Sequence, residues 1–181
     1  DSIVVKSDGL CGGKGVFIYE SHRCVEIMEK IDELLLSNNQ ILIEERLYGD
    51  EFSLISITDG DNFIHGPPIL DFKRLENGDK GPNTGSMGCI MDGKLGFLTD
   101  NDLKCAQSVN EAVVREQKDC YVGFFYGSFM KTKKGEIKVI EFNCRLGDPE
   151  GVLLLESLNI SLANICKWIK TGTFYTNLDR C

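Results

Sequence analysis

Two hydrophobic rhythms alternate along the chain. Ile3–Lys6 and Gly15–Tyr19 are short runs rich in β-branched and aromatic residues, separated by the glycine-dense Ser7–Lys14, which predicts two strands joined by a hairpin with a glycine-rich tip. From Ser21 the period lengthens. Val25, Met28, Ile31 and Leu35, with Ile27 and Leu34 alongside, follow three–four spacing, so a helix is predicted, capped by Ser21 and ended by Asn38-Asn39. Ile41-Leu42-Ile43 reads as a buried strand and Phe52–Thr58 as a second. Asp59-Gly60-Asp61-Asn62 turns the latter into a third, Phe63–His65, and the three are expected to form one antiparallel sheet. Between Pro67 and Gly96 periodicity is lost among Gly, Asn, Asp and Lys, which predicts a long loop. Helical spacing returns at Thr99, where Asp102 completes a short capping box and Leu103, Ala106, Val109, Val113 and Val114 line one face. Tyr121–Met130 and Glu136–Phe142 predict a hairpin across Lys133-Lys134-Gly135. From Glu150, the residues Leu153, Leu154, Leu158, Leu162, Ile165 and Ile169 predict a helix broken near Asn159.

Composition narrows the class. The chain has 181 residues, 42% hydrophobic and 27% charged, enough for one core or for two small subdomains. A formal charge of −8 excludes a large basic footprint, so neither nucleic acid nor an acidic membrane is expected as a partner, and any phosphate binding must be local. No apolar run is long enough to span a bilayer and the start lacks the basic and apolar regions of a signal peptide, so a soluble, cytoplasmic protein is expected. The eight cysteines are scattered and are expected to be free thiols. Without a CxxC pair, and with only His22 and His65 as imidazoles, a zinc site is not expected. A strand that starts at once and a final TGTFYTNLDRC without a clear element suggest a piece of a longer chain.

Chemistry concentrates in a few segments. Glu141-Phe142-Asn143 ends an apolar strand, and strict alternation puts Glu141 and Asn143 on one face, expected to be that of Ile137 and Val139. Two oxygen ligands suffice for magnesium when water and substrate phosphates complete its shell, although a solvated strand end reads the same way. The loop Asp8–Gly15 has the glycines and a lysine that let backbone N–H groups approach a polyphosphate, yet it lacks the Walker pattern and a plain flexible turn fits equally. Lys6 ends an apolar strand and needs a partner, phosphate or water. ILIEERLYGDE at 41–51 puts acids at a strand exit. Asp71-Phe72-Lys73-Arg74 and Gly81-Pro82-Asn83-Thr84-Gly85 offer anion-holding and hydrogen-bonding groups in the long loop.

Taken jointly, VVKSDGLCGGKGV at 4–16, IEERLYGDE at 43–51, DFKR at 71–74, GPNTGSMG at 81–88 and IEFNCRLGDPE at 140–150 closely resemble glycinamide ribonucleotide synthetase, an ATP-grasp carboxylate–amine ligase of purine biosynthesis. The resemblance runs from about residue 2 to about residue 170. It implies an α+β ATP-grasp fold, two subdomains holding nucleotide between antiparallel sheets, with bounds 1–66 and 67–170 and a tail at 171–181. It implies ATP with Mg2+ or Mn2+, the metal on Glu141 and Asn143. Lys6, the flap residues Gly9, Gly12, Gly13, Lys14 and Gly15, and Glu44, Glu45, Leu47 and Glu51 would meet the nucleotide, Glu51 near the ribose. Asp71, Arg74, Asn83, Thr84 and Arg145 would hold the substrates, glycine and 5-phosphoribosylamine, while Lys73, Arg145 and Asp148 would stabilise the transition state. Phe72 stands where the family usually has His, Ser86 replaces a Gly, Gly12 an Ala, and Gly151 follows GDPE where Thr or Cys is usual. The resemblance further implies flanking N- and C-terminal domains, so the 181 residues alone are expected to be inactive. Two other readings are a divergent nucleotide-binding module without ligase activity and a related ligase for another substrate.

Overall fold

A computed structural model describes residues 2–8, 15–37, 40–117 and 121–180. They form two compact units, Asp1–Tyr48 and Gly49–Cys181. The first contains β1 (Ser2–Ser7), β2 (Val16–Glu20), α1 (Cys24–Ser37) and β3 (Ile41–Glu45). Its strands are antiparallel in the order β2-β1-β3, with Val5 opposite Phe17 on one side and Ile43 on the other. Side chains alternate across the sheet, so Ile3, Val5, Phe17, Tyr19 and Ile41 meet Ile27, Ile31 and Leu34 of α1.

Three sequence expectations change here. One helix on a narrow sheet buries only a thin stripe, so Met28, Leu35 and Val25, 72% exposed, face outward. The helix starts at Cys24 rather than after Ser21, because the chain first turns, Arg23 N–H donating to Glu20 O over 2.9 Å. Leu42 and Ile43 are exposed, and β3 pairs with β1 instead of with the strands that follow, which sets Ile41 against the α1 cluster.

The second unit contains β4 (Gly49–Thr58), β5 (Phe63–His65), β6 (Ile69–Asp71), β7 (Arg74–Glu76), β8 (Lys80–Asn83), β9 (Cys89–Met91), α2 (Asp100–Glu116), β10 (Gly123–Thr132), β11 (Ile137–Asn143), α3 (Glu150–Ser157), α4 (Leu162–Thr171) and a closing 3-10 turn, Tyr175–Arg180. The main sheet runs β11-β10-β4-β6-β9, antiparallel throughout, with β5 pairing β4 and with β7 and β8 as a separate ribbon. The expected long loop at 67–96 is therefore largely paired. Its strands of three or four residues are too short for a period-two signal, and glycine and proline dilute it further. The division falls at 48/49 rather than 66/67, because β4 pairs along its whole length with β10, from Gly49↔Thr132 to Thr58↔Gly123. Nor is 171–181 a loose tail: Phe174 is fully buried against Ile57 and Ile165.

Both faces of this sheet are covered. One carries Phe52, Leu54 and Phe129 beneath Leu95, Leu98 and Ala106 of the α2 side. A Cβ on Gly127 would fall 2.3 Å from Asn110 Oδ1, so the bare glycine lets α2 approach the sheet. Asn110, a polar residue within the expected apolar face, is buried there and its Nδ2 donates to Leu54 O (3.2 Å) and Ser56 Oγ (3.0 Å). The Thr99–Asp102 capping box forms as expected. The opposite face sets Ile55, Ile69 and Tyr126 under Leu154 of α3.

One irregularity decides which face the strand end uses. In the β10–β11 ladder Phe129 pairs with Val139 but Ser128 pairs with Glu141, so Ile140 is skipped as a β-bulge. Glu141 and Asn143 do share a face, but it is the face of Ser128 and Tyr126; Ile137 and Val139 lie on the other, with Phe129. The slip also explains why Ile137 and Phe142, five apart, both pack on the α2-side cluster. Among the described residues no single helix is long and apolar enough to cross a membrane, and the described cysteines are free.

Candidate functional site

The first unit offers a half-open sheet face. Opposite the α1 side, the register groups Val4, Lys6, Val16, Ile18, Leu42 and Glu44, and Lys6 Nζ lies 2.6 Å from Glu44 Oε2. Val16, Ile18 and Leu42 are about half exposed, an apolar surface suited to a planar ring beside a cation suited to phosphate. Of the nucleotide residues proposed from sequence, Lys6 and Glu44 are thus together, while Glu45 pairs opposite Ile3 and belongs to the α1 side. Leu47 lies just past β3. Gly15 is buried and its carbonyl accepts the Ser7 N–H at 2.9 Å, closing the hairpin base. Gly9, Gly12, Gly13 and Lys14 lie outside the described residues.

In the second unit a polar cluster occupies the sheet face that α3 partly covers. β4 brings Glu51 and Ser53, β6 brings Asp71, β10 brings Tyr126 and Ser128, and the bulge brings Glu141 and Asn143. Lys73, just beyond β6, forms an ion pair with Glu51, whose Oε1 also accepts from Ser128 Oγ at 3.4 Å. Burial pulls the Lys73 ammonium down, but the carboxylates of Glu51, Asp71 and Glu141 outweigh it and hold the group above its ordinary value. Burial pushes the Asp71 carboxyl up and Glu150 adds to this, while the Ser86 hydrogen bond and Lys73 oppose it. Acids outnumber the lysine, so the cluster draws cations and directs one protonated amine at whatever anion enters.

Under this cluster lies a buried network. Tyr126 Oη donates to Glu150 Oε1 (2.8 Å) and bonds Ser53 Oγ, and burial pushes its phenol far above the ordinary range. Glu150, 3% exposed, opens α3 directly after the cis Asp148–Pro149 bond. A Cβ on Gly147 would sit 2.5 Å from Glu150 Oε2, so the turn carrying Arg145 and Asp148 is seated on this pair.

Glu141 and Asn143 adjoin, Asn143 Nδ2 donating to Glu141 Oε1 over 3.0 Å. Among the described residues no group of three His, Cys, Asp or Glu side chains stands ready for a metal, so a bound ion would draw further ligands from water or substrate. Arg74, Asn83 and Thr84 serve the β7–β8 ribbon: Arg74 Nη1 donates to Gly81 O (2.9 Å), Arg74 pairs with Asn83, and Thr84 Oγ1 donates to Lys73 O (2.9 Å). Arg145 is exposed, its Nη1 on Leu146 O (2.9 Å), and Asp148 is exposed. Glu51, expected beside the ribose, belongs to the second unit and holds Lys73. Sequence reasoning missed Ser53, Tyr126, Ser128 and Glu150. Residues 124, 126 and 128 repeat at the strand period, a signal for one shared face but not for which one.

The α+β arrangement of helices and antiparallel sheets is that of the ATP-grasp fold. A 2-oxoglutarate carboxylase biotin carboxylase domain from Hydrogenobacter thermophilus, solved with MgADP, has this fold at TM-score 0.64 and 17% identity, over 95% of this chain and 37% of its own. Residues 1–151 match the phosphoribosylglycinamide synthetase ATP-grasp (A) domain, and the chain belongs to that family. The phosphoribosylamine–glycine ligase of Methanoregula boonei is 41% identical over 94% of this chain and 40% of its own length. The crystal structure of the Thermotoga maritima phosphoribosylamine–glycine ligase superposes at TM-score 0.70 and 35% identity, covering 87% of this chain and 41% of that one. The chain thus spans about two fifths of the length of the relatives it matches.

Proposed function

We propose that the full-length protein is an ATP-dependent ligase that joins glycine to 5-phosphoribosylamine, giving glycinamide ribonucleotide, ADP and phosphate in cytoplasmic purine biosynthesis. The observation that carries this is the acid-rimmed Lys73 within a chain whose first 151 residues match the family. In this reading the terminal phosphoryl group of ATP passes to the glycine carboxylate, and the amine of phosphoribosylamine attacks the acyl phosphate. No protein nucleophile is needed, so the residues act by position and charge.

Lys6 meets the phosphates, Gly9, Gly12, Gly13, Lys14 and Gly15 serve as the flap, and the backbone of Glu44, Glu45 and Leu47 frames the adenine. Lys73, kept charged by Glu51, faces the oxygens that gain charge during transfer, with Arg145 and Asp148 on the adjoining turn. Asp71, Arg74, Asn83 and Thr84 border the substrates. Glu141 and Asn143 fit magnesium or manganese: with the Asn143 amide nitrogen engaged by Glu141 Oε1, the remaining oxygens, Asn143 Oδ1 and Glu141 Oε2, are hard donors at a strand end. When bound there, the ion would supply positive charge that offsets the charge of the phosphates.

The test is coupled ADP release by the full-length protein. ADP appearing only when ATP, Mg2+, glycine and phosphoribosylamine are all present supports the reading. Turnover with another acid–amine pair but not this one overturns the substrates. ATP binding without ADP release for any pair points to a nucleotide-binding module. The 181 residues alone are expected to turn over little, since positioning needs the remainder of the polypeptide.

A further inference from the structure

Ser86 occupies a position that the sequence marks as unusual, and its surroundings give the hydroxyl a task. Asp71 ends β6, where a carboxylate is free to choose among three staggered χ1 rotamers. The segment carrying Ser86 folds back over it and is latched on both sides of the strand end: Met87 N–H donates to Phe72 O (2.8 Å) and Phe72 N–H donates to Gly88 O (2.9 Å). Held between these bonds, Ser86 Oγ donates to Asp71 Oδ1 at 2.6 Å and accepts from Gly88 N–H at 3.0 Å. The hydroxyl has one proton, and the carboxylate at 2.6 Å takes it in preference to Gly88 O at 3.3 Å, so Asp71 cannot rotate without breaking a charge-assisted bond. Gly88 has φ +139°, which only glycine adopts without strain, so the latch depends on that glycine as well.

We propose that Ser86 is a positioning residue for the amine-bearing substrate: it fixes the Asp71 carboxylate by one oxygen and leaves the other to receive a donor from the substrate amine. Asp71 Oδ2 has no hydrogen-bond partner among the described residues. The charged groups around Asp71 are Lys73 beyond β6, Glu51 of β4 and Glu150 of α3. Lys73 is already paired with Glu51, so an ammonium entering beside Asp71 meets an acidic surface with one carboxylate oxygen open. The role rests on the ligase reading above for the identity of the amine, whereas the rotamer lock stands on geometry alone.

The experiment compares Ser86→Ala, Ser86→Thr and Asp71→Asn in the full-length protein, by steady-state kinetics across pH and by crystal structures. Ser86→Ala is expected to raise KM for glycine or phosphoribosylamine roughly 10- to 100-fold, the loss of one charge-assisted bond, with kcat and the KM for ATP changed less than about 2-fold. Its acid limb should move to higher pH, because the bond that favours the Asp71 anion is gone, and Ser86→Thr, which keeps a hydroxyl, should restore both. In the Ser86→Ala crystal the Asp71 carboxylate should leave its place beside Gly88. Unchanged KM values with Asp71 unmoved would overturn the proposal. Loss of substrate affinity in Asp71→Asn beside normal Ser86→Ala kinetics would overturn the role of Ser86 alone. A wild-type protein with no ligase turnover would overturn the ligase reading, and the Asp71 position in the Ser86→Ala crystal would still decide whether Ser86 holds it.

Discussion

Replacing Tyr126 by Phe keeps the ring and its volume and deletes one oxygen, so it isolates the buried network beneath the site. The lost oxygen bonds Glu150 Oε1 and Ser53 Oγ. A hydrogen bond to a charged group contributes about 1.5–3 kcal/mol and a neutral one about 0.5–1.5 kcal/mol, and Phe recovers some of the desolvation cost of the phenol. Because Glu150 is 3% exposed, water cannot readily replace the donor, and the bond to the carboxylate accounts for most of the cost. The net loss should be about 2–3 kcal/mol, which for a unit of this size lowers Tm by roughly 4–12 °C. Calorimetry of the ligand-free protein measures it. Glu150→Gln, which removes the charge and keeps an oxygen to accept from Tyr126, should cost less than Tyr126→Phe. A Tm drop below about 1 °C in Tyr126→Phe, or a larger drop in Glu150→Gln, would refute the reasoning that an uncompensated buried carboxylate sets the cost.

Thr99→Ala removes the hydroxyl of the capping box and should lower stability by about 1 kcal/mol, read as a denaturant midpoint shift at unchanged slope. His65 is lowered from 6.5 by burial, only partly offset by its contact with Glu111, so its neutral form is favoured in the folded state. The unfolded chain then binds the proton first, and stability should be complete above about pH 6.5 and fall as pH drops below it, a dependence that His65→Gln should flatten. Gly127→Ala brings a methyl against Asn110 and Phe129 and should destabilise by about 1–3 kcal/mol in thermal unfolding. Asn143→Ala should raise the Mg2+ concentration needed for half-maximal ADP release about tenfold, while Lys138→Ala, at another position on the same strand, should not.

Much of the fold is legible in the sequence because its longest elements carry strong local signals. The Thr99 cap, the helical spacing of α2 and the β10–β11 hairpin each rest on residues close in sequence. The errors share a cause. Which strand pairs with which is a long-range choice, so local pattern puts β3 in the wrong sheet and β4 in the wrong unit. The strands between 69 and 91 are too short to show alternation, and the ribbon β7–β8 includes Gly81 and Pro82. At the site, Glu141, Asn143, Asp71 and Lys73 are marked by polar or charged groups at strand ends. Tyr126, Ser53 and Ser128 carry no such mark, because a tyrosine or serine inside an apolar strand looks like core until the facing helix is known.

The skipped residue in β11 makes the strand read its sequence in two frames. Ile137, Val139, Glu141 and Asn143 are all odd-numbered, yet the first pair serves the core and the second the chemistry. The two halves are thereby free to vary separately, because the extra residue absorbs the change of frame. Pairing Ile140 regularly opposite Ser128 would turn Phe142 out of its stack with Phe125 and drive Glu141 and Asn143 toward the α2 core, where a carboxylate finds no partner. Deleting Ile140 would instead close the bulge and leave Glu141 opposite Ser128 and Asn143 opposite Tyr126. A scan of the strand should therefore tolerate most replacements at 140, and a deletion there should keep both polar side chains on the site face.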